Sequence, residues 1–289
     1  MSSYHTSALL KECIEFLDVK KGHWYIDATL GGGGHTEGIL RKGGNVVGID
    51  TDEDSIRFVE EHFKNYVGEG RLILVNRNFS DIEEIAEEFC PSAPEGVLFD
   101  LGVSSHQLDS VSRGFSFDSA NKLDMRMDKS LAVTAKDLVN GLSKKELEQL
   151  FREYGEEIYA GKIAQSIVNS RKVREISTCK ELSRIVSFAK SGRGKVHPAT
   201  KVFQALRVAV NDELQVLSTA LPRAFRVLAP KGRILVISFH SLEDRIVKNF
   251  GNKTMGLEVL TKSPIIPSDS ELLSNIRIRS AKLRVFEKN

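Results

Sequence analysis

The chain has 289 residues, 41% hydrophobic and 28% charged with a net charge of +2, which excludes wholesale disorder and allows a sizeable core in one large domain or two smaller ones. No apolar run approaches the ~20 residues that span a bilayer, and residues 1–10 lack the cationic and long apolar regions of a secretory signal. Cys13, Cys90 and Cys179 are scattered without a CxxC pair, so reduced thiols in a soluble cytoplasmic protein are expected, with no metal site and no membrane partner.

Along the first hundred residues, Trp24–Ala28, Val46–Ile49, Leu72–Val75 and Val97–Phe99 read as buried strands, each followed by polar or glycine-rich residues. Thr36–Arg41, Glu53–Lys64 and Asp81–Phe89 between them have helical spacing. Strands alternating with helices predict an α/β fold whose parallel sheet is covered on both faces. Residues 108–215 break this rhythm, with helical patterns at Lys144–Tyr154, Ala160–Asn169, Cys179–Ala189 and Thr200–Leu217. A βαβ crossover needs only about 30 residues. The excess predicts a helical domain, 108–215, inserted into a sheet domain made of 1–107 and 216–289. The sheet pattern resumes with a helix at Leu217–Val227, a turn at Pro230-Lys231-Gly232, and strands at Arg233–Phe239 and Leu283–Phe286.

Charge follows the same division. Residues 108–215 hold 19 Lys and Arg against 14 Asp and Glu, and the remainder holds 22 against 25. Ten basic residues lie within 171–207, against Glu175 and Glu181 alone. Such a surplus fits a polyanion partner, with a solvated charged face as the plainer reading.

The strongest local signal is Asp27-Ala28-Thr29-Leu30-Gly31-Gly32-Gly33-Gly34-His35, which follows the first strand and opens a helix. Glycines there allow close approach of a ligand to the backbone, and the helix start offers unpaired N–H groups. Asp50 ends the second strand, 19 residues after Gly31, where a carboxylate can accept from both hydroxyls of a ribose. Phe79, after the third strand, can wall an adenine or simply fill the core. A nicotinamide dehydrogenase is a competing reading. Four consecutive glycines do not match GxGxxG, however, and Asp100-Leu101-Gly102-Val103-Ser104-Ser105 places polar groups at the substrate edge of the fourth strand.

Six blocks resemble the bacterial MraW/RsmH family. They are Gly96–Asp109, Arg113–Phe117, Leu123–Met127, His197–Arg207, Ser238–Arg245 and Arg279–Arg284, and the similarity runs from His5 to the C-terminus. The resemblance implies a class I (Rossmann-like) S-adenosylmethionine-dependent methyltransferase sheet domain with a helical insertion. It implies S-adenosyl-L-methionine as cofactor and methyl transfer to N4 of a cytidine in the decoding centre of small-subunit (16S) ribosomal RNA. The partner would be that RNA, within the small ribosomal subunit. The family's cofactor contacts carry over onto Gly33, Gly34, His35, Asp50, Phe79, Asp100 and Gln107. Ser7 stands where the family usually has proline.

Amino-methyltransferases often carry Asp/Asn/Ser-Pro-Pro-aromatic after the fourth strand, and this chain does not. Ser104 or Ser105 is therefore the expected acceptor for the amine hydrogens, with Asp100 serving the cofactor. Arg113, Arg126, Arg193 and Lys195 are expected RNA phosphate contacts. His197 and His240 are candidate bases, but a loop-ordering His197 and a capping His240 are the simpler readings. Asp124 and Glu243-Asp244 lack metal-ligand spacing and read as salt-bridged turns. Methylation of another RNA or of DNA, or a pocket that senses a nucleoside without turnover, remain the functional alternatives.

Overall fold

The computed structural model describes residues 7–103, 113–117, 120–190 and 197–289. The chain divides into two compact units, Met1–Ser104 with Leu214–Asn289, and Ser105–Glu213.

The first unit is built on seven strands, β1 (Trp24–Asp27), β2 (Asn45–Ile49), β3 (Leu72–Val75), β4 (Gly96–Asp100), β5 (Arg233–Ser238), β6 (Leu257–Val259) and β7 (Lys282–Lys288). Their order in the sheet is β3-β2-β1-β4-β5-β7-β6. The first five run parallel, and β7 enters antiparallel to both β5 and β6. Side-chain alternation sorts neighbouring residues onto opposite faces. Ile26, Val47, Val97 and Val236 lie on one face with Leu217, Leu221, Ile82 and Ile85. Tyr25, Val46, Leu98 and Leu235 lie on the other with Cys13, Leu17, Ile39 and Leu40.

The covering helices are α1 (Leu10–Leu17), α2 (Gly34–Arg41), α3 (Glu53–His62), α4 (Lys64–Gly68) and α5 (Ile82–Phe89), the last entered through a 3₁₀ turn at Phe79–Asp81. The sequence pattern gives no sign of α1 or of the three-residue edge strand β6. It reads Glu53–Lys64 as one helix, whereas Phe63 (φ −111°, ψ 22°) separates α3 from α4.

The second unit contains α6 (Ala135–Gly141), α7 (Lys144–Glu153), α8 (Ala160–Val173), α9 (Cys179–Lys190) and α10 (Thr200–Asn211). Capping boxes at Thr134 and Ser143 start α6 and α7. Leu147, Phe151, Ile163, Ile167, Leu182, Val186, Val202 and Leu206 are fully buried, the period-3.6 apolar stripes of an amphipathic helical unit. The expected helix Thr200–Leu217 is interrupted. Asp212 takes a left-handed conformation (φ 49°, ψ 36°), which ends α10 and lets α11 (Glu213–Val227) begin. The chain then continues with α12 (Ser241–Lys253) and α13 (Asp269–Ser274).

Among the described residues no helix is long and apolar enough to cross a membrane. All three cysteines are free thiols, and burial pushes those of Cys90 and Cys179 up to about 12.

Candidate cofactor site

In a parallel sheet the loops at the C-terminal strand edges are where ligands gather. Five of the expected residues stand there, and Phe79 follows β3.

The turn after β1 is held from beneath by Asp27, which is fully buried. One of its oxygens accepts from Thr36 Oγ1 at 2.7 Å and the other from the Thr29 N–H at 3.3 Å. Burial raises the Asp27 carboxyl, opposed by nearby His35 and by the two threonine hydrogen bonds. Thr29 Oγ1 in turn accepts from the Asp100 N–H at 2.6 Å, tying the ends of β1 and β4 together. The sequence reading assigns no role to Asp27, Thr29 or Thr36. A carboxylate at the end of an otherwise apolar strand was the available signal.

Gly33 is the residue before α2 and has φ 78°, which disfavours any side chain. A Cβ there would lie 2.9 Å from Phe63 and 3.2 Å from Val59, and one on Gly34 would collide with Ser7 Oγ. At these two positions glycine serves the packing of the protein itself, not only the approach of a ligand. His35 follows, 3% exposed, with Nε2 3.4 Å from Asp100 Oδ2. That contact is off-line for a hydrogen bond. His35 Nδ1 and Nε2 and Asp100 Oδ1 are buried polar atoms without a hydrogen-bond partner among the described residues. Buried groups in this condition call for a partner.

Asp50 sits at the end of β2, partly in solvent. Oδ2 accepts from the Gly31 N–H and Oδ1 from the Asp52 N–H, each at 2.8 Å. Burial of the rest of the carboxyl outweighs both hydrogen bonds and pushes it up to about 6. Each oxygen keeps a further lone pair, so the group can still accept from two hydroxyls. Phe79 is half-buried and meets Phe99 edge-to-face, with ring centroids 5.5 Å apart. A nucleoside with a charged aminoacyl end fits this donor set. Asp50 would meet the ribose, Phe79 the base, and the orphaned His35 and Asp100 atoms the polar tail.

Ser104, Ser105, Gln107, Arg193 and Lys195 lie outside the described residues. Arg113 and Arg126 lie within them, turned inward. Arg113 is 7% exposed and its guanidinium donates to the carbonyls of Arg126 and Met127. Arg126 forks onto Asp124 at 2.7 and 2.9 Å and donates to the carbonyls of Lys129 and Leu131. Both guanidiniums thus brace the loop in which they sit, and their contact with RNA phosphate remains an expectation. Asp124, held low despite its burial by the Arg126 hydrogen bonds, is half of that salt-bridged turn.

His240 caps α12, its Nδ1 accepting from the Glu243 N–H at 3.4 Å while Glu243 accepts from the Phe239 N–H at 2.7 Å. Asp244 pairs with Arg284 at 2.7 Å and Lys282 at 3.3 Å. His197 Nδ1 accepts from the Ala199 N–H at 3.2 Å, and the ring stacks on Phe117.

The strand order with an inverted β7, and the glycine turn and Asp50 at the β1 and β2 edges, fit a class I methyltransferase fold. A description of the MraW methylase family fits residues 2–289. A protein of Carboxydothermus hydrogenoformans named ribosomal RNA small subunit methyltransferase H is 45% identical, covering 100% of this chain and 99% of its own. One of the same name from Oenococcus oeni is 44% identical, covering 99% and 98%. Among solved structures, a putative methyltransferase of Streptococcus mutans in complex with SAH matches at a TM-score of 0.49 and 12% identity, over 97% of each chain. The chain belongs to the MraW methylase family.

Proposed function

We propose that the protein transfers a methyl group from S-adenosylmethionine to the N4 amine of a cytidine in small-subunit ribosomal RNA, at the decoding centre and within the small subunit. The observation that carries the cofactor part is the grouping of Asp50 with the unpartnered atoms of His35 and Asp100 around the glycine turn. The names of the full-length relatives support the RNA. N4 and the decoding centre rest on the resemblance of the motifs.

The bound cofactor supplies an electrophilic methyl group. The chain's own task is to present the amine in line with it, since positioning removes much of the barrier to a two-reactant step. Cytosine N4 is a weak nucleophile because its lone pair is delocalised into the ring. Ser104 and Ser105 are assigned to accept its hydrogens and turn the lone pair outward, as acceptors placed where positive charge develops. After transfer the sulfur keeps the bonding pair, and the methylated amine gives its proton to water, so no dedicated base is required. Gln107 is assigned to the cofactor. The second unit is assigned to substrate recognition, with Arg193 and Lys195 as phosphate contacts. The whole reaction belongs to the cytoplasm.

The test is incubation with radiolabelled S-adenosylmethionine and small subunits from a strain lacking the homologous enzyme, followed by digestion to nucleosides. Label in N4-methylcytidine is the expected result. Label in another nucleoside, or none despite S-adenosylhomocysteine binding, overturns the assignment. In the same assay Ser104→Ala or Ser105→Ala is expected to slow turnover at least tenfold, and full turnover in both removes the serines from the mechanism.

A further inference from the structure

Glu12 Oε2 is a buried carboxylate oxygen with no hydrogen-bond partner, and no cation pairs with the group among the described residues. A carboxylate in this state is costly unless a donor comes from elsewhere.

The helix that carries it, α1, runs from the ligand edge of the sheet to the opposite edge. Just before it, Ser7 lies against the glycine turn, where a Cβ on Gly34 would collide with its Oγ. At the far end, Leu17 is 2.6 Å from where a Cβ on Gly96, the first residue of β4, would stand. Leu10 and Ile14 rest on α2, 3.4 and 2.7 Å from the same position on Gly38, while Cys13 and Leu17 join the core against the sheet. Glu12 is in the first turn of α1, hence at the ligand edge. The helical step of about 100° per residue turns it to the flank away from α2. Lys11 and Glu15 are exposed, whereas Glu12 is half-buried.

The neighbouring Cys13 shows what this flank adjoins. Its buried thiol is pushed well up, by burial first and then by the nearby carboxylates of Asp100, Glu12, Asp27 and Glu271. Glu12 and Asp100 thus bear on one common neighbour, and Asp100 Oδ1 also lacks a partner. Two such oxygens with no cation beside them call for a cationic donor. On the cofactor the sulfonium has charge but no N–H to give, whereas an ammonium has three donors and no acceptor. We propose that Glu12, together with Asp100, accepts from the α-ammonium group of bound S-adenosylmethionine. The inference rests on the assignment of this sheet edge to that cofactor.

The test is calorimetric titration of the full chain with three ligands. They are S-adenosylhomocysteine, its decarboxylated analogue, which keeps the amine, and 5′-methylthioadenosine, which lacks the whole aminoacyl end. Glu12→Gln keeps the shape of the side chain and removes its charge. It is expected to weaken both amine-bearing ligands roughly tenfold or more, and methylthioadenosine by less than about twofold. The carboxylate has no partner to lose, so the ligand-free variant should melt no lower than the wild type. Amine-bearing ligands bound equally by wild type and variant overturn the proposal. A loss shared by methylthioadenosine also overturns it, because the side chain then supports the pocket and not the amine. So does a loss that spares the decarboxylated analogue, which would track the ligand's carboxylate. Asp50→Asn is followed alongside and is expected to weaken all three ligands, since each carries the ribose. If it weakens none, the assignment of the site falls whatever Glu12 does. If it weakens all three while Glu12→Gln weakens none, the site stands and the Glu12 contact falls.

Discussion

At the scale of single residues, Asp50 is the group whose chemistry can be followed by pH. Two backbone N–H groups hold it, yet burial lifts its carboxyl to about 6. Its folded value lies above that of the unfolded chain. The ligand-free protein therefore takes up a proton there on folding between about pH 4 and 6, and this contribution to stability is lost as pH rises through that window. Ligand binding runs the other way. On the proposed reading ribose hydroxyls would donate to the carboxylate, so S-adenosylhomocysteine affinity is expected to fall as pH drops below about 6, with loss of its thermal shift. Asp50→Asn should bind the ligand at least about tenfold more weakly, because hydrogen bonds to a charged acceptor are lost, and should show no such pH step. Calorimetric titration between pH 5 and 8 measures both. A wild-type affinity flat across that range would separate Asp50 from the ribose.

At the scale of elements, the break after α10 is both the clearest departure from the sequence pattern and a place where stability can be tested. Asn211 Oδ1 accepts from the Met127 N–H at 2.7 Å, and its Nδ2 donates to the carbonyls of Met125 and Arg207 at 2.8 and 2.9 Å. Met125 is buried in a left-handed conformation, φ 65°, an arrangement that persists only when its surroundings hold it. Asn211→Ala leaves the Met127 N–H and the Met125 carbonyl without this partner. It is expected to cost about 1–3 kcal/mol, read as a lower urea midpoint for loss of helical signal. An unchanged midpoint would mean that the loop holds itself. The apolar period of 200–217 runs through Asp212, so periodicity could not show a kink set by contacts 84 and 86 residues away in sequence. The sheet was legible for the opposite reason. Its strands are short continuous apolar runs such as Arg233–Ser238, buried on both faces, and such runs show locally in the sequence. Within the candidate site, Asp50 could be read from its position after β2. The Asp27–Thr36 and Thr29–Asp100 bonds could not, because they depend on how side chains turn at the ends of two strands that pair only in the sheet.

At the scale of the molecule, the two units differ in the kind of ligand their charges favour. On the proposed reading the first would meet its ligand through carboxylates, a glycine turn and a half-buried ring, with short-range hydrogen bonds that salt screens little. The second carries the basic surplus, 19 against 14 over residues 108–215. Binding of a single strand releases condensed counterions, and the observed constant falls with salt by about 0.7 in logarithmic slope per phosphate neutralised. Three or four contacts therefore predict a loss of roughly 20- to 50-fold in RNA affinity between about 50 and 200 mM KCl. The affinity for S-adenosylhomocysteine should change less than about twofold over the same range. Steady-state methylation at the two salt concentrations separates these terms. KM for RNA should rise steeply, KM for the cofactor should stay level, and kcat at saturating RNA should be preserved. A cofactor KM that rises in step with that for RNA would mean that the charged surface serves both ligands, and the division of labour between the units would be wrong.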